Sequence, residues 1–495
     1  GVEDIPGTAL HEGVDWNWET FPEFLDAIEK KDFVMDLGFM IGHGPLRSYV
    51  MGYERCQSQV DASKEEISKM SDIVTEAIES GALGFSTSRT ILHRDVHGVY
   101  VPGTEASSEE MKSLAFAIDK AGEGTLEIVS DWLDKEIEMS WMREYVEKSD
   151  CGLTVLQTSG DAIKTTLFCE EQFLKGKNVR PQFPGRNVGM MFGLESSLHP
   201  FIGHPSYREI ADLPLSERVK IMKDPAFKEK LLNEKPNFAS EIEKSMNEQG
   251  NTKSQEEIKE AANLGLKLIS NYDTQFILGD PPNYEPGKED SIAALAKSKG
   301  IAELEVIYDE FLKNEGTNLV YACFTPYDNH KLDFVERAYS LKSSVAGGSD
   351  GGAHCGLICD ASMPTTNLSH WARDREAGKK IPIELIVRKQ TKDTAETYGL
   401  FDRGEIKTGM LADLNIIDFE KLNVTHPKMV YDLPLGGRRL IQTSSGYLAT
   451  VKSGEVVYEA GEATGVLPGK LIRGKQTCEV KTEKERVPFI DRTLR

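Results

Sequence analysis

No two of the ten histidines stand one residue apart and no His-Glu-x-x-His occurs, so the spacing carries no zinc signature. There is no G-x-S-x-G elbow to anchor a serine hydrolase. Neither GxxxxGK(S/T) nor a GxGxxG after a strand-like run is present, which removes the phosphate and dinucleotide cradles. No apolar run is long enough to span a bilayer. Basic residues are outnumbered, 58 against 80 acidic, for a net charge of −22 with no long basic run. Nucleic acid and anionic membranes are thereby poor partners, and a small-molecule substrate is the partner left. Cysteine is sparse and odd in number, seven residues at 56, 151, 169, 323, 355, 359 and 478 with no CxxC. That suits reduced thiols in a cytoplasmic protein better than a disulfide scaffold. Gly1-Val-Glu-Asp-Ile-Pro6 shows no initiator Met, signal or transit character and reads as the middle of a longer chain.

What is present is an ordinary globular composition, 39% hydrophobic and 28% charged over 495 residues, enough for a large domain and a smaller one. Strand-like and helix-like runs alternate. Residues 15–30 read as a capped amphipathic helix with Thr20 as its N-cap, and Phe33–Ile41 reads as a strand opening into Gly42-His-Gly-Pro-Leu-Arg47. A helix over 63–80 stops at Gly81, and a strand over 81–86 runs into a loop with His93, Arg94 and His97. Helices at 107–121, 134–148 and 168–175 then alternate with strands at 126–129, 153–157 and 179–183. Short connections between such units imply βαβ repeats and a parallel sheet, with a (β/α) barrel as the leading closure. From about 184 to 316 the rhythm changes to a helical insertion, whose stretch 235–262 is strongly polar, and lids over active faces are commonly built this way. Strand-like runs return at 318–323 and 344–350. The barrel thus occupies 1–405, a small β domain 406–480, and a tail 481–495.

The most informative stretch is Val345-Ala-Gly-Gly-Ser-Asp-Gly-Gly-Ala-His-Cys355. An apolar strand ending in a glycine-rich turn that carries one carboxylate, Asp350, is how a barrel presents a catalytic group at its C-terminal face. The bland alternative is an ordinary turn aspartate. His354 shares the turn and reads as functional. His43 lies at a strand end between glycines. His199 and His204, flanked by prolines, read as satisfied loop histidines.

Four motifs in order, Gly42–Arg47 with Val50-Met-Gly52, Gly81-Ala-Leu-Gly-Phe-Ser-Thr-Ser-Arg89, Gly348-Ser-Asp-Gly-Gly-Ala-His354 and Lys407-Thr-Gly-Met-Leu-Ala-Asp-Leu-Asn415, carry a likeness over about residues 1–475. The chain resembles the N-acyl-D-amino-acid deacylase (D-aminoacylase) branch of the amidohydrolase superfamily. That resemblance implies a zinc-dependent (β/α)8 TIM barrel beside a small β-sandwich, and hydrolysis of linear C–N bonds, N-acyl-D-amino acids above all. It implies that Asp350 binds metal and acts as general base, with His354 assisting at the substrate. One or two Zn2+ ions are implied, whose main His-x-His ligands, like the first barrel strands, are expected upstream of residue 1. Gln157 and Gln182 stand where histidine ligands are usual. The substrate-carboxylate arginine is unmatched, with Arg186 and Arg373 as replacements and His43 and Arg94 as further substrate-binding candidates. A cyclic-amide (dihydropyrimidinase- or hydantoinase-like) amidohydrolase and a non-catalytic relative that kept the barrel for binding remain as alternatives.

Overall fold

The computed structural model describes residues 4–478 apart from 58, 96–98, 133, 158–162, 239–262 and 264. His97, most of the polar stretch 235–262 and the tail 481–495 therefore lie outside the described residues.

Strands β1 (Ile41–Gly42), β2 (Gly84–Arg89), β3 (Thr125–Ser130), β4 (Gly152–Leu156), β5 (Val179–Pro184), β6 (Val188–Phe192), β7 (Gln275–Ile277), β8 (Val320–Thr325) and β9 (Val345–Gly347) build the first part of the molecule. Six of them form a parallel sheet in the order β1-β2-β3-β4-β5-β9. The helices that cover it start and stop where local chemistry dictates. Lys64–Glu79 begins with a reciprocal capping box between Ser63 and Glu66, and buries Ile67, Met70, Val74, Ala77 and Ile78 at helical spacing. Ser108–Ala121 is capped by the Ser107 side chain and ends on Gly122, whose left-handed backbone only glycine adopts freely. Lys135–Lys148 starts on Asp134. Their apolar faces meet Phe85, Leu126, Ile128, Leu153 and Val155, the outward-facing residues of β2 to β4, in one continuous core. This is the architecture that periodicity and spacing predict. Among the described residues β1 pairs only with β2 and β9 only with β5, so the six described strands form an open sheet edged by β1 and β9.

Three readings change. The run Phe33–Ile41 contributes only Ile41–Gly42 to the sheet, while Phe33 and Leu37 bridge to Gly469 and Leu471. Asp36 interrupts it, paired with Arg403 and Lys452. The strand read at 318–323 exists as β8, but it does not join the parallel sheet. It is the middle strand of an antiparallel sheet β6-β8-β7, with Met190 opposite Ala322 and Phe276 opposite Tyr321. Val320-Tyr-Ala-Cys323 is buried on both faces, and such a run looks the same in either kind of sheet. Because β5 pairs directly with β9, everything between Pro184 and Val345 is an excursion from the parallel sheet, and it is not purely helical. It has a core of its own around Phe192, Phe201, Tyr207, Ile307, Tyr308 and Phe311.

Beyond residue 405 a four-stranded antiparallel sheet forms from Leu414–Ile417, Tyr447–Lys452, Glu455–Glu459 and Glu462–Ala463, beside two two-stranded ribbons. Leu414, Ile416, Val456 and Tyr458 of the larger sheet are exposed. The described residues thus form a small β region of one four-stranded sheet and two ribbons. No described helix is long and apolar enough to cross a membrane.

Candidate active site

β9 runs parallel to β5, with Gln182 beside Val345 and Pro184 beside Gly347, so its carboxyl end points the same way as those of β1 to β5. The chain then makes the glycine-rich turn. Gly348 and Gly352 have φ of 72° and 90°, as expected of glycine, but Asp350 and His354 also sit at positive φ, 28° and 50°. A non-glycine residue there costs on the order of 1–3 kcal/mol and persists only where its surroundings over-determine it. They do so here. His354 O accepts from Leu357 N and Ile358 N at 2.9 Å, Met191 N donates to Leu357 O at 2.7 Å, and Ser197 N to Gly356 O at 3.1 Å. From the C-terminal β region Leu440 N reaches Cys355 O at 2.6 Å. Asp350 is exposed at the mouth and His354 is half-buried.

Behind the turn lies a residue that sequence reasoning missed. Asp360 is buried, and its Oδ1 accepts from Arg186 Nη2 at 3.0 Å. Burial pushes its carboxyl up to about 6 against the pull of Arg186, and the charges of Asp350 and His354 act on it as well, in opposite senses. The one signal available was an acid closing the apolar run Leu357-Ile-Cys-Asp360. Arg186 is fully buried, its guanidinium 3.6 Å from the centre of the Tyr284 ring and its Nη2 also donating to Cys359 O at 2.8 Å.

The other candidates have different work. His43 is buried with both ring nitrogens committed, Nδ1 to Thr87 Oγ1 at 2.9 Å and Nε2 to Glu110 Oε1 at 2.8 Å. Burial pushes the imidazole down despite Glu110. Burial also opposes ionisation of Glu110, but His43 and Arg47 outweigh it and hold that carboxyl below its usual range. The geometry is that of a neutral imidazole in a structural network and not of a group facing substrate. Arg186, expected as a substrate cation, is already paired with Asp360 away from solvent. Arg373 donates to the carbonyls of Phe419 and Leu422 and pairs with Asp374, which places it at the junction with the C-terminal β region. Arg94, in the loop after β2, is half-buried, lies over the Tyr100 ring and donates to Ile91 O at 3.1 Å. His93 joins Ser88 at 2.7 Å. His199 is a satisfied loop histidine, its Nδ1 accepting from Phe201 N at 3.2 Å, and it is buried against Tyr207 and Phe311 in the insertion core. His204, read as satisfied, is buried; among the described residues its ring nitrogens lack a well-formed hydrogen bond, though the Phe201 and Pro200 backbone lies against it.

Whether these residues fit a zinc centre is decided by the donors. Zinc takes four ligands, three of them from the protein in catalytic sites. Among the described residues no three His, Cys, Asp or Glu side chains converge. Gln157 accepts from Thr166 at 3.0 Å, and Gln182 donates to Glu127 and Tyr398 at 3.2 and 3.1 Å. Both amides are therefore committed. The described residues offer Asp350 and do not by themselves make a metal site.

Comparison with known proteins gives a consistent picture. A family profile described as an amidohydrolase family matches residues 7–458. An uncharacterized protein of Mycobacterium tuberculosis is 24% identical over 476 residues, which cover 90% of this chain and 72% of that protein. A D-aminoacylase of Alcaligenes xylosoxydans xylosoxydans is 25% identical over 417 residues, 83% of this chain and 67% of that enzyme. Among solved structures, a D-aminoacylase described as having a binuclear metal center superposes with a TM-score of 0.53 at 18% identity, covering 95% of this chain and 78% of that one. An N-acyl-D-glutamate deacylase of Bordetella bronchiseptica, in complex with zinc and a phosphonate mimic of the tetrahedral intermediate, gives 0.50 at 16%, with 95% and 79% covered. At these identities the structural likeness speaks for the fold.

Proposed function

The chain belongs to the amidohydrolase family, and from that premise we propose that it hydrolyses linear amide bonds, with N-acyl-D-amino acids as the substrate class. The observation that carries the reading is Asp350, an exposed carboxylate held on a left-handed backbone at the carboxyl end of the last parallel strand. Amide hydrolysis needs a group that takes a proton from the attacking water and returns one to the departing nitrogen, and a positioned carboxylate does both. Asp350 fills that role, with His354 beside it toward the scissile carbonyl. Arg94 is the cation of the mouth loops proposed to meet the substrate carboxylate. The D-aminoacylase and deacylase relatives support both the substrate class and a metal requirement, zinc being the ion in one of them. In this chain Asp350 is the residue proposed as a ligand for such an ion.

The test is turnover of a panel of N-acetyl-D- and N-acetyl-L-amino acids, with a hydantoin as the cyclic control, followed by release of free amine or ring opening. Release from N-acetyl-D-amino acids that is lost in Asp350→Asn is the expected result. Cleavage of the hydantoin alone would overturn it in favour of the cyclic-amide reading. The commitment of Gln157 and Gln182 to internal hydrogen bonds favours one second reading, a relative that binds ligand without cleaving it. That reading predicts ligand binding altered by Asp350→Asn and no hydrolysis by any form.

A further inference from the structure

One residue of the glycine-rich turn is held from distant parts of the chain. Gly356, two positions after His354, is buried. Its N donates to Asp4 Oδ2 at 3.1 Å, and its O accepts from Ser197 N at 3.1 Å. The same Asp4 oxygen accepts from Ser197 Oγ, which itself accepts from Arg438 Nη2 at 3.3 Å. Only glycine fits at 356, since a Cβ would lie 2.1 Å from Ser197 Oγ and 2.7 Å from Asp4 Oδ2. Asp4 sits at a φ of 53°, a left-handed backbone that aspartate tolerates better than most residues. Hydrogen bonds to an ionised carboxylate are roughly twice as strong as neutral ones, so Asp4 is the strongest acceptor available to this part of the turn.

The contact reaches His354 through the backbone. Gly356 O and Leu357 N belong to one planar peptide. Ser197 grips one side of that plane, and on the other Leu357 N donates to His354 O at 2.9 Å. Ile358 N donates to the same oxygen at 2.9 Å, and these two bonds close the left-handed turn at His354, where φ is 50°. Asp4 holds both Gly356 N and the Ser197 hydroxyl, so it fixes the peptide that His354 is bonded to. We propose that Asp4, 352 positions from Gly356, is a positioning residue of this site: it clamps Gly356 and thereby keeps the His354 arm of the turn in place for substrate. The inference rests on the hydrolase reading above and adds to it a residue that does not touch substrate.

The experiment compares the full chain with Asp4→Ala and Asp4→Asn, in hydrolysis of the N-acetyl-D-amino acid panel and in hydrogen exchange. Alanine removes the acceptor, whereas the carboxamide oxygen of asparagine can still take both hydrogen bonds. A misplacement of about 1 Å in a reacting group costs on the order of 100-fold. For Asp4→Ala the expected result is a kcat roughly 10-fold or more lower with KM within about 3-fold, the pattern of an interaction used in the chemical step. Asp4→Asn keeps most of the kcat. Exchange over 351–358 rises in the alanine variant alone, while the peptides over 64–156 exchange as in wild type. A purely structural contact behaves otherwise, since Asp4→Ala then lowers the melting temperature but leaves kcat per folded molecule alone. That outcome overturns the proposal, as does an asparagine variant as slow as the alanine one, or exchange over 351–358 that is equal in all three proteins. If the wild-type chain hydrolyses nothing, the hydrolase reading fails by itself, and exchange decides on Asp4. Faster exchange over 351–358 in the alanine variant alone supports the clamp, and equal exchange overturns it.

Discussion

Asp350 is exposed, and asparagine tolerates its left-handed backbone, so Asp350→Asn should be felt by the chemistry and not by the fold. Loss of a general base is worth about 100- to 10,000-fold. The expected outcome is therefore activity at least ~100-fold lower with an unchanged thermal melt. Glu110 gives the opposite pattern. It is buried between His43 and Arg47, and Glu110→Gln strands the Arg47 cation. A broken buried pair costs about 3–5 kcal/mol, which urea denaturation would register. The turn that carries Asp350 and His354 was legible because its glycines announce it in the local sequence. His43, Arg186 and Arg373 were not, because what decides their role is a partner far along the chain. Glu110 is 67 positions from His43, Asp360 is 174 from Arg186, and Phe419 is 46 from Arg373. A strand-end histidine that faces a mouth and one that faces a buried glutamate look identical in one dimension.

Elements were legible in proportion to how local their causes are. The helices Lys64–Glu79, Ser108–Ala121 and Lys135–Lys148 carry their own caps and an apolar stripe, and each begins within a residue of where those signals place it. β8 carried no such mark. Its four buried residues fit any buried strand, and only pairing with β6 and β7, residues 188–192 and 275–277, fixes it as antiparallel. The glycine that opens β2 shows how strictly the parallel pairing is held. Gly84 has φ of 154° and faces Thr125 of β3, and a Cβ there would come within 1.9 Å of the Thr125 carbonyl oxygen. Backbone cannot yield as a flexible side chain can. Gly84→Ala should therefore separate the start of β2 from β3 and destabilise the protein by ~3 kcal/mol or more, read as a lowered urea midpoint. A normal midpoint would mean that this strand junction is far softer than its geometry.

At the scale of the whole molecule the sequence announced parallel βαβ repeats but not where the sheet ends, since closure depends on which strands become neighbours. That β5 and β9 are neighbours, with some 160 residues between them, could not be read from either strand. The excursion so created has its own core, and its response to acid should differ from that of the sheet. His199 is buried there, and burial pushes its imidazole down to about 3, while His204 is lowered by the same cause. An unfolded chain protonates both near 6.5. Between pH 6.5 and 3 the unfolded state therefore binds a proton at His199 that the native state refuses, so this part of the stability is intact above 6.5 and lost as pH falls. At pH 5 the loss from His199 alone is about 2 kcal/mol. Asp360 works in the other direction. Its folded value of about 6 lies above the unfolded carboxyl, so its burial penalty is present at neutral pH and eases by about 1 kcal/mol on the way to pH 5. The two groups sit in different places, Asp360 beneath the mouth and His199 among Phe201, Tyr207 and Phe311. Acidification from pH 7 to 5 should thus loosen the insertion before the parallel sheet. Hydrogen exchange should rise first in the peptides over 190–235 and 290–325, while those over 64–156 stay protected. His199→Phe, which keeps the ring contacts and removes the proton site, should flatten that pH dependence. If exchange rises equally in both regions, or the phenylalanine variant responds to acid as wild type does, the histidine is not the cause.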